Sequence, residues 1–432
     1  MKSRKSRGAV LISTFIFFAG VTLAQNSRNA AATPSVQGGT ISSTQAALQL
    51  NTITTAVPFL LISPDARAGG MGDAGVASSP DENSIHWNPS KLAFLDKKMG
   101  YSISYTPWLR ALVPDINLAY LSGYYKTSKS GVLAASLRYF SLGDITFTDQ
   151  VGNVTGQFRP NEFAVDVAYG RMLGENFSVG SALRFIYSNL TANQTVAGNS
   201  SQPGTSIAAD ISMTYRKKDI DLGGKKSIMQ FGLNISNIGS KIHYTNSGQK
   251  DFIPINMRLG GGLTMQLDDY NSFGFILDVN KLLVPTPPIY KTDANGQYIV
   301  DPATGQYEIA LGMDPHRGIV SGMIGSFYDA PGGFKEELKE YILAGGIEYW
   351  YGKPKIFAVR AGYFHEAPTK GNRKYFTAGF GIRYSVFGLD FSYLIPTTQR
   401  NPLQNTLRFT LVFSFNSAKD LKKDEAPKEG TW

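Results

Sequence analysis

The feature that most constrains this chain is a series of short segments after Met99 in which apolar and polar side chains alternate. Large apolar residues occupy every second position in Glu162–Gly170, Ile207–Arg216 and Leu407–Phe415. Successive side chains of a β-strand point to opposite faces, so each segment would be a strand with one apolar and one polar or small face. The pattern predicts an all-β protein, and it suits a soluble sandwich as well as a membrane barrel.

Loop lengths favour the barrel. The short connections include Thr127–Gly131 and Tyr351–Lys355, and residues 217–226 are expected to form a medium-length turn at the same end. The long connections include Gly143–Pro160 and Lys281–Glu340. Single-chain outer-membrane barrels have an even strand number, short periplasmic turns and long extracellular loops, and here about 14 strands show that alternation. We therefore predict a transmembrane antiparallel β-barrel over residues 99–415, in which residues 281–340 form a long extracellular loop carrying short helices.

Composition excludes several functions. Charged residues make up only 17% of the chain, and there are 45 glycines and no cysteine. The lack of cysteine removes disulfides, thiolate chemistry and cysteine-based zinc sites. The formal net charge of +9 is dispersed along the chain, so it does not indicate a nucleic-acid partner.

The N-terminus is typical of an exported protein. Basic residues from Lys2 to Arg7 precede an apolar stretch and the small residue Ala24, which predicts a signal peptide over residues 1–24. Residues 25–57 are mostly small and polar and are expected to form a flexible leader. Residues 416–432 are expected to be a charged periplasmic tail. We expect an integral outer-membrane protein once the signal peptide is cleaved.

Residues 58–98 predict a plug inside the barrel, because this polar, Gly-rich segment carries scattered apolar anchors. Gly70–Gly75 matches G-x-G-x-x-G, but no buried strand precedes it and no helix follows, so a dinucleotide site is not predicted. The glycines instead suit turns and close backbone approach. The residues assigned to the plug are Arg67, Gly70, Gly72, Asp73, Trp87, Asn88 and Pro89. Its charges, Asp65, Arg67, Asp73, Asp81 and Glu82, are expected to pair with lumen-facing Arg138, Asp166, Arg184, Asp210 and Arg383.

No catalytic residue, cofactor site or metal site is predicted. The four histidines lie far apart, and neither H-E-x-x-H nor G-x-S-x-G is present. His365 at a strand end could meet a serine from another strand in a barrel hydrolase, but no partner is visible. Tyr290–Tyr307 lacks EF-hand spacing and predicts a β-hairpin within the long loop.

The end of the long loop has a helical pattern. Asp314 as cap and Pro315 as first helical residue predict a helix, and Ala330–Gly333 breaks it before a second, acidic helix. The first helix either folds back over the barrel mouth or docks a partner. The docking candidates are Ile319, Met323, Phe327 and Phe334.

Two long motifs resemble a known family. Ser63–Phe94, which contains Trp87-Asn88-Pro89, looks like the N-terminal hatch of FadL-type barrels. Together with Phe327–Tyr341 (FYDAPGGFKEELKEY), it is similar to the PorV (LptO) family of the Bacteroidetes type IX secretion system. The sister PorQ proteins share the hatch, and the second motif favours PorV.

The resemblance implies a non-enzymatic function in protein transport. Members bind the C-terminal domains of secreted cargo at the large translocon barrel and shuttle them to a surface attachment complex. There a sortase-like protease removes the domain and joins the cargo to lipopolysaccharide. The implied partners are thus the translocon, cargo, the protease complex, and outer-membrane lipid with lipopolysaccharide. A FadL-like channel for hydrophobic small molecules and a lipid A deacylase are the alternatives.

Overall fold

Fourteen antiparallel strands close into one barrel, in which the first strand pairs with the last. The computed structural model describes residues 50–110, 113, 115–148, 154–190, 195–196, 199–245, 250–398 and 401–416. The predicted signal peptide, the leader up to residue 49 and the tail from residue 417 lie outside these residues. The predicted fold class is confirmed.

The wall strands follow one another in chain order around the barrel. Their bounds are β1 Met99–Pro107, β2 Asn117–Lys126, β3 Gly131–Ser141, β4 Asn161–Met172, β5 Phe177–Asn189, β6 Gly204–Leu222, β7 Lys225–Gly239, β8 Asn256–Gln266, β9 Asn271–Leu282, β10 Ile342–Tyr351, β11 Phe357–His365, β12 Lys374–Tyr384, β13 Phe387–Pro396 and β14 Leu407–Phe415. Short two-stranded ribbons decorate the long loops. One pairs Ile289–Tyr290 with Ile309–Leu311, which confirms a β-ribbon in that loop.

The alternation of the sequence becomes the two faces of the wall. In β4, Val165, Val167 and Tyr169 are exposed on the outside, whereas Ala164 and Asp166 are buried towards the lumen. An outward apolar band around a polar interior is the arrangement that a bilayer requires of a barrel. No helix in the described ranges is long and apolar enough to cross a membrane.

One connection differs from its prediction. Residues 217–226 were expected to be a medium-length turn, but β6 and β7 continue through them to a tight turn at Gly223 and Gly224, which both have positive φ. The last β6 residue paired with β5 is Tyr215, and β7 begins to pair with β8 at Ser227. The intervening hairpin therefore extends beyond its neighbours on the periplasmic side.

The chain enters the lumen from the extracellular end. The backbone N–H of Asn51 donates to Thr369 O at 2.9 Å, and that of Ala56 donates to Phe252 O at 2.9 Å. Both acceptors lie in long, extracellular loops. From Asn51 onwards the predicted leader therefore makes defined contacts. β1 starts at the opposite end, so residues 58–98 cross the whole lumen before the wall begins.

Single-cysteine labelling tests this path, because the chain contains no cysteine. Leu50 is 77% exposed beside the extracellular loops. We expect Leu50→Cys to react with a membrane-impermeant maleimide on intact cells. Lys353→Cys, in an exposed periplasmic turn, should react only after permeabilisation. Equal labelling of both variants on intact cells would contradict the assigned orientation.

Candidate functional site: plug and extracellular loop

The plug is built from single helical turns held by side-chain caps. These are Pro58–Leu61, α1 Ala66–Gly69, α2 Ser84–Trp87 and Pro89–Phe94. The Asp65 carboxylate accepts from the N–H of Ala68 at 2.9 Å, as an N-cap does, and from Trp87 Nε1 at 2.6 Å. Burial, reinforced by nearby Asp81, raises the pKa of Asp65 to about 6. One carboxylate thus joins two turns that lie far apart in sequence.

Arg67 ties the plug to the wall. Its Nε and Nη2 donate to the two oxygens of Glu348 on β10, each at 2.8 Å, and its Nη1 donates to Asp81 at 2.8 Å. Glu348 also accepts from Arg360 on β11 at 2.8 Å, and Arg360 in turn donates to Asp390 on β13 at 2.9 Å. The guanidinium matches a carboxylate with two parallel hydrogen bonds, which fixes orientation as well as distance. A continuous buried charge network therefore runs from plug to wall.

The turn after α1 makes a second attachment. Asp73 pairs with Arg408 on β14 at 2.9 Å and accepts from the Tyr375 hydroxyl at 2.6 Å. The Thr377 hydroxyl accepts from Gly72 N–H at 2.8 Å and donates to Gly70 O at 3.0 Å. This turn is thus bonded to side chains of two wall strands.

Glycines let the plug backbone touch the wall backbone. Gly72 has φ +72, and a Cβ on it would lie 2.6 Å from Tyr363 O. A Cβ on Gly362 of β11 would lie 2.1 Å from Gly72 N. No side chain fits at such distances. The prediction that the plug glycines serve turns and close approach is confirmed at Gly72.

Adding one methyl group at this contact tests how tightly the plug is seated. We expect Gly362→Ala to push the plug away from β11 and to destabilise the protein by about 1–3 kcal/mol, as overpacking does. The temperature at which the folded band is lost in gel electrophoresis should fall. Gly123→Ala is the control, since its Cβ would meet no atom closer than 3.5 Å. If both variants lose the folded band at the same temperature, the close contact between Gly72 and Gly362 does not contribute to stability.

The Trp87-Asn88-Pro89 motif connects α2 to the last helical turn of the plug. Trp87 is buried, with the Arg258 guanidinium 5.2 Å from its ring centre. The Asn88 amide donates to Thr214 Oγ1 at 3.0 Å and to Val76 O at 3.1 Å. Pro89 starts the last turn and lies against glycines of β4 and β5. All seven predicted plug residues therefore pack inside the barrel, and their sealing role stays a prediction.

The expected ionic partners of the plug were wrong: among the described residues, none of the five forms an ion pair with a plug charge. Asp166, Arg184 and Asp210 pair with one another in the wall, and Arg383 pairs with Asp390. The wall partners are instead Glu348 and Arg408, as described above. Arg138 does reach the plug, donating to Leu60 O at 2.7 Å and lying 2.6 Å from His86 Nδ1. Alternation says which residues face the lumen, but it leaves their height along the barrel undetermined.

A cavity of about 460 Å³ lies above the plug at the extracellular end. Its lining mixes rings such as Trp87, Trp108 and Phe364 with charges such as Arg258 and Glu366. Asn280 also lines it, and its buried Oδ1 has no hydrogen-bond partner among the described residues. The cavity is therefore amphipathic rather than an apolar tunnel.

The long loop carries the two predicted helices, with one corrected boundary. α3 spans Ile319–Gly325 and is capped by Gly318, so it does not begin at Pro315. Asp314 instead accepts from His316 N–H at 2.8 Å, which stabilises a turn rather than a helix. Ile319 and Met323 pack against the apolar cluster at the barrel mouth. These two docking candidates therefore face the protein's own barrel.

The acidic residues of the second motif attach the loop to the barrel. α4 spans Phe334–Glu337. Lys281 lies 2.6 Å from Glu340 and 3.2 Å from Glu337, and Lys370 lies 2.6 Å from Glu336. These acids are buried and were not recognised from the sequence, because Lys281 and Lys370 are remote along the chain. Burial raises the pKa of Glu337, and the same cause raises the pKa of Asp329 in this loop to about 6.

Anchoring of these acids leaves an apolar surface facing outwards, which we call the loop patch. Phe334 is 75% exposed and Ile324 is 59% exposed. The remaining members are Val320, Phe327 and Leu338, each exposed. Two of the four docking candidates, Phe327 and Phe334, thus belong to the loop patch.

The described residues contain no group of three histidine, aspartate or glutamate side chains arranged to hold a metal ion. His365 lies 3.3 Å from the Tyr363 hydroxyl in an exposed position. His86 is buried against Arg138, and its pKa falls well below the usual range because burial and nearby cations disfavour the imidazolium. Neither histidine is placed beside a serine hydroxyl in these contacts.

A closed, plugged barrel with an apolar outer band defines an outer-membrane protein. The model of the family "Type IX secretion system protein PorV" matches residues 44–289, more than half of the chain, and the chain belongs to that family. No curated protein matches. Among solved structures, the chain is similar to the Pseudomonas putida toluene transporter TodX, with 11% identity over 85% of this chain and 100% of the other, at a TM-score of 0.44. It is also similar to the CymD monoaromatic hydrocarbon channel, with 14% identity over 83% of this chain and 99% of the other, at a TM-score of 0.45. A Pseudomonas aeruginosa FadL homologue has 10% identity over 84% of this chain and 99% of its own, at a TM-score of 0.41.

Proposed function

We propose that this chain is a non-enzymatic carrier of the type IX secretion system. It binds the C-terminal domains of secreted cargo at the translocon barrel and delivers them to the sortase-like attachment complex at the cell surface. Membership of the family supports the assignment to the type IX secretion system. The loop patch is the single observation that supports a role in binding cargo. Several large apolar side chains exposed on one loop are characteristic of an interaction site.

The way the loop is held supports a docking role. Buried ion pairs from Lys281 and Lys370 fix the base of the loop, so Phe334 and Ile324 are presented on a largely preformed surface. Binding to a preformed surface loses less conformational entropy than binding to a flexible loop. The partner would cover these side chains with apolar residues of its own.

The direct test is affinity purification from the native outer membrane, followed by identification of the bound chains. Cargo C-terminal domains and the translocon barrel are the expected partners. A deletion strain should lose cargo secretion, with unchanged lipid A acylation and unchanged uptake of hydrophobic compounds. Altered acylation with normal secretion would instead support a deacylase.

A channel for hydrophobic small molecules is the second candidate, and the cavity above the plug is the observation that favours it. The same lumen contains the buried charge network of Arg67, Glu348 and Arg360, which spans from plug to wall. Desolvated charges oppose the passage of an apolar molecule. Loss of uptake in a deletion strain that secretes normally would support the channel over the carrier.

A further inference from the structure

The cavity above the plug contains a buried arginine that lacks an acidic partner. Arg258 on β8 is only 6% exposed and lines the cavity, where its guanidinium stands over the Trp87 ring. With the Asn256 amide oriented to donate to Lys281 O, the amide oxygen accepts from Arg258 Nε at 3.2 Å. No described residue forms an ion pair with this guanidinium. Buried cations are normally paired with an anion, so this one has pairing capacity left.

The acids near Arg258 are already bonded elsewhere. Each acid that lines the cavity has its own ion-pair partner, at 2.6–2.9 Å: Asp73 with Arg408, Glu340 with Lys281, and Glu366 with Arg373. Two further acids of the lumen, Asp210 and Asp278, are bonded to Arg184 and to the plug backbone. Among the described residues, Arg258 is therefore the one cation of the cavity wall with no carboxylate to neutralise it.

Asn280 lies beside this arginine and needs the opposite kind of group. The two residues face each other directly in the β8–β9 pairing, and both line the cavity. Asn280 is 8% exposed, and its buried Oδ1 receives no hydrogen bond from the described residues. A guanidinium offers only donors, whereas an amide oxygen accepts. A ligand that satisfies both residues has an anionic acceptor next to an N–H or O–H donor.

The C-terminus of a polypeptide combines these two groups. Its carboxylate can accept two parallel hydrogen bonds from a guanidinium, and the backbone N–H of the same residue is a donor close by. A fatty acid has the carboxylate but no N–H. Trp108, Leu282 and Ile342 also line the cavity and would cover an apolar side chain. Its volume of about 460 Å³ lies within the range of about 300–1,000 Å³ that is usual for ligand sites.

The cavity is continuous with the base of the long loop. Thr52, Thr54 and Gly371 line it and are exposed, so it opens to water at the extracellular end. Lys370 also lines it and pairs with Glu336 in α4, the helix that begins with Phe334 of the loop patch. A chain bound at the loop patch would therefore lie at the same end of the barrel as the cavity entrance.

We propose that this cavity binds the C-terminal carboxylate of a polypeptide chain. Arg258 would hold the carboxylate, and Asn280 would accept from the last backbone N–H. The occupant would be the end of the cargo domain, so this inference rests on the carrier function proposed above. It adds a requirement of its own, namely that the last residue of the occupant keeps a free carboxylate.

The test uses the full-length protein in zwitterionic nanodiscs and a fluorescein-labelled hexapeptide that ends in two leucines with a free carboxylate. The control peptide is identical but ends in an amide. Fluorescence anisotropy should show saturable binding of the acid peptide. The amide peptide should bind about tenfold more weakly or worse, since it cannot form the charge-assisted pair. Decanoate, which lacks an N–H, should compete only at a large excess over the peptide.

Two variants test the assigned residues. Arg258→Met should bind the acid peptide no better than the wild type binds the amide peptide. Asn280→Asp places a carboxylate directly opposite Arg258, so it should neutralise the arginine, repel the peptide and still give a folded gel band. Lys250→Gln is the matched control, because it removes an exposed cation outside the cavity. This control should bind within about twofold of the wild type.

The outcomes separate this site from the carrier function. Equal binding of the two peptides, or wild-type binding by Asn280→Asp, would overturn the inference even if Arg258→Met gave no folded protein. Displacement of the peptide by an equal concentration of decanoate would overturn it too and assign the cavity to fatty acids. Failure of the wild type to bind the peptide, with normal pull-down of cargo, would reject the site and leave the carrier function intact. Peptide binding without any cargo pull-down would retain the site and reject the carrier function.

Discussion

Replacing Arg67 by alanine is expected to make the barrel conduct ions and to lower its thermal stability. The change leaves Asp81 without its partner and leaves Glu348 with Arg360 alone. Removing one member of a buried ion pair costs about 3–5 kcal/mol, because the remaining charge stays buried. Single-channel recording in planar bilayers measures the conductance, and gel band shift on heating measures the stability.

Arg159→Ala is the matched control for Arg67→Ala. Arg159 also pairs with an aspartate at 2.7 Å, but both side chains are more than half exposed. Exposed pairs contribute little to stability, so conductance and stability should stay at wild-type values. If Arg67→Ala conducts no more than Arg159→Ala, this arginine does not seal the lumen.

Replacing Ile324 and Phe334 by serine is expected to abolish co-purification of partners while the barrel remains folded. Both side chains are exposed, so the free protein loses no internal packing. Central apolar anchors of an interface typically contribute 2 kcal/mol or more each, which is about thirtyfold in affinity per residue. Quantitative pull-down of translocon and cargo from the native membrane provides the measurement.

The control for this double variant is Tyr298→Ser with Val300→Ser, in an exposed ribbon of the same loop. Its pull-down should equal that of the wild type. Deleting Pro315–Lys339, which removes both helices of the long loop, would be harder to interpret. That deletion also removes Glu336 and Glu337, and Lys281 and Lys370 then retain only Glu340. Undiminished pull-down by Ile324→Ser with Phe334→Ser would disprove the docking role.

The wall was predictable because every strand repeats one local signal. In β4, Val165 and Val167 against Ala164 and Asp166 already define the outward and inward faces. The lengths of the loops then indicate which end of the barrel is periplasmic and which is extracellular. The extension of β6 through Lys217 and Lys218 was missed, since charged residues and two glycines resemble a turn when no pairing partner is known.

The site was less predictable, because its contacts join residues that are remote in sequence. Arg67 is 281 residues from Glu348, and nothing in either local segment selects the other. The acids of the second motif resemble a solvated helix face, although Glu336 and Glu340 are buried. By contrast, the plug glycines carry a local signal, since Gly70–Gly75 is rich in glycine and Gly72 has the positive φ that glycine favours.

The path of the N-terminal segment has a consequence for the order of assembly in the membrane. Residues 51–98 run from the extracellular mouth to the periplasmic mouth, and the wall contacts them throughout. Protein chains rarely thread through closed rings. Bulky side chains such as Trp87 and Arg67 would have to pass positions where plug and wall backbones are in contact at glycines. The pairing of Met99 with Phe415 at the seam must therefore be completed around a plug that is already in place. An insertion machine that handles this chain has to leave that seam open until residues 51–98 have been enclosed.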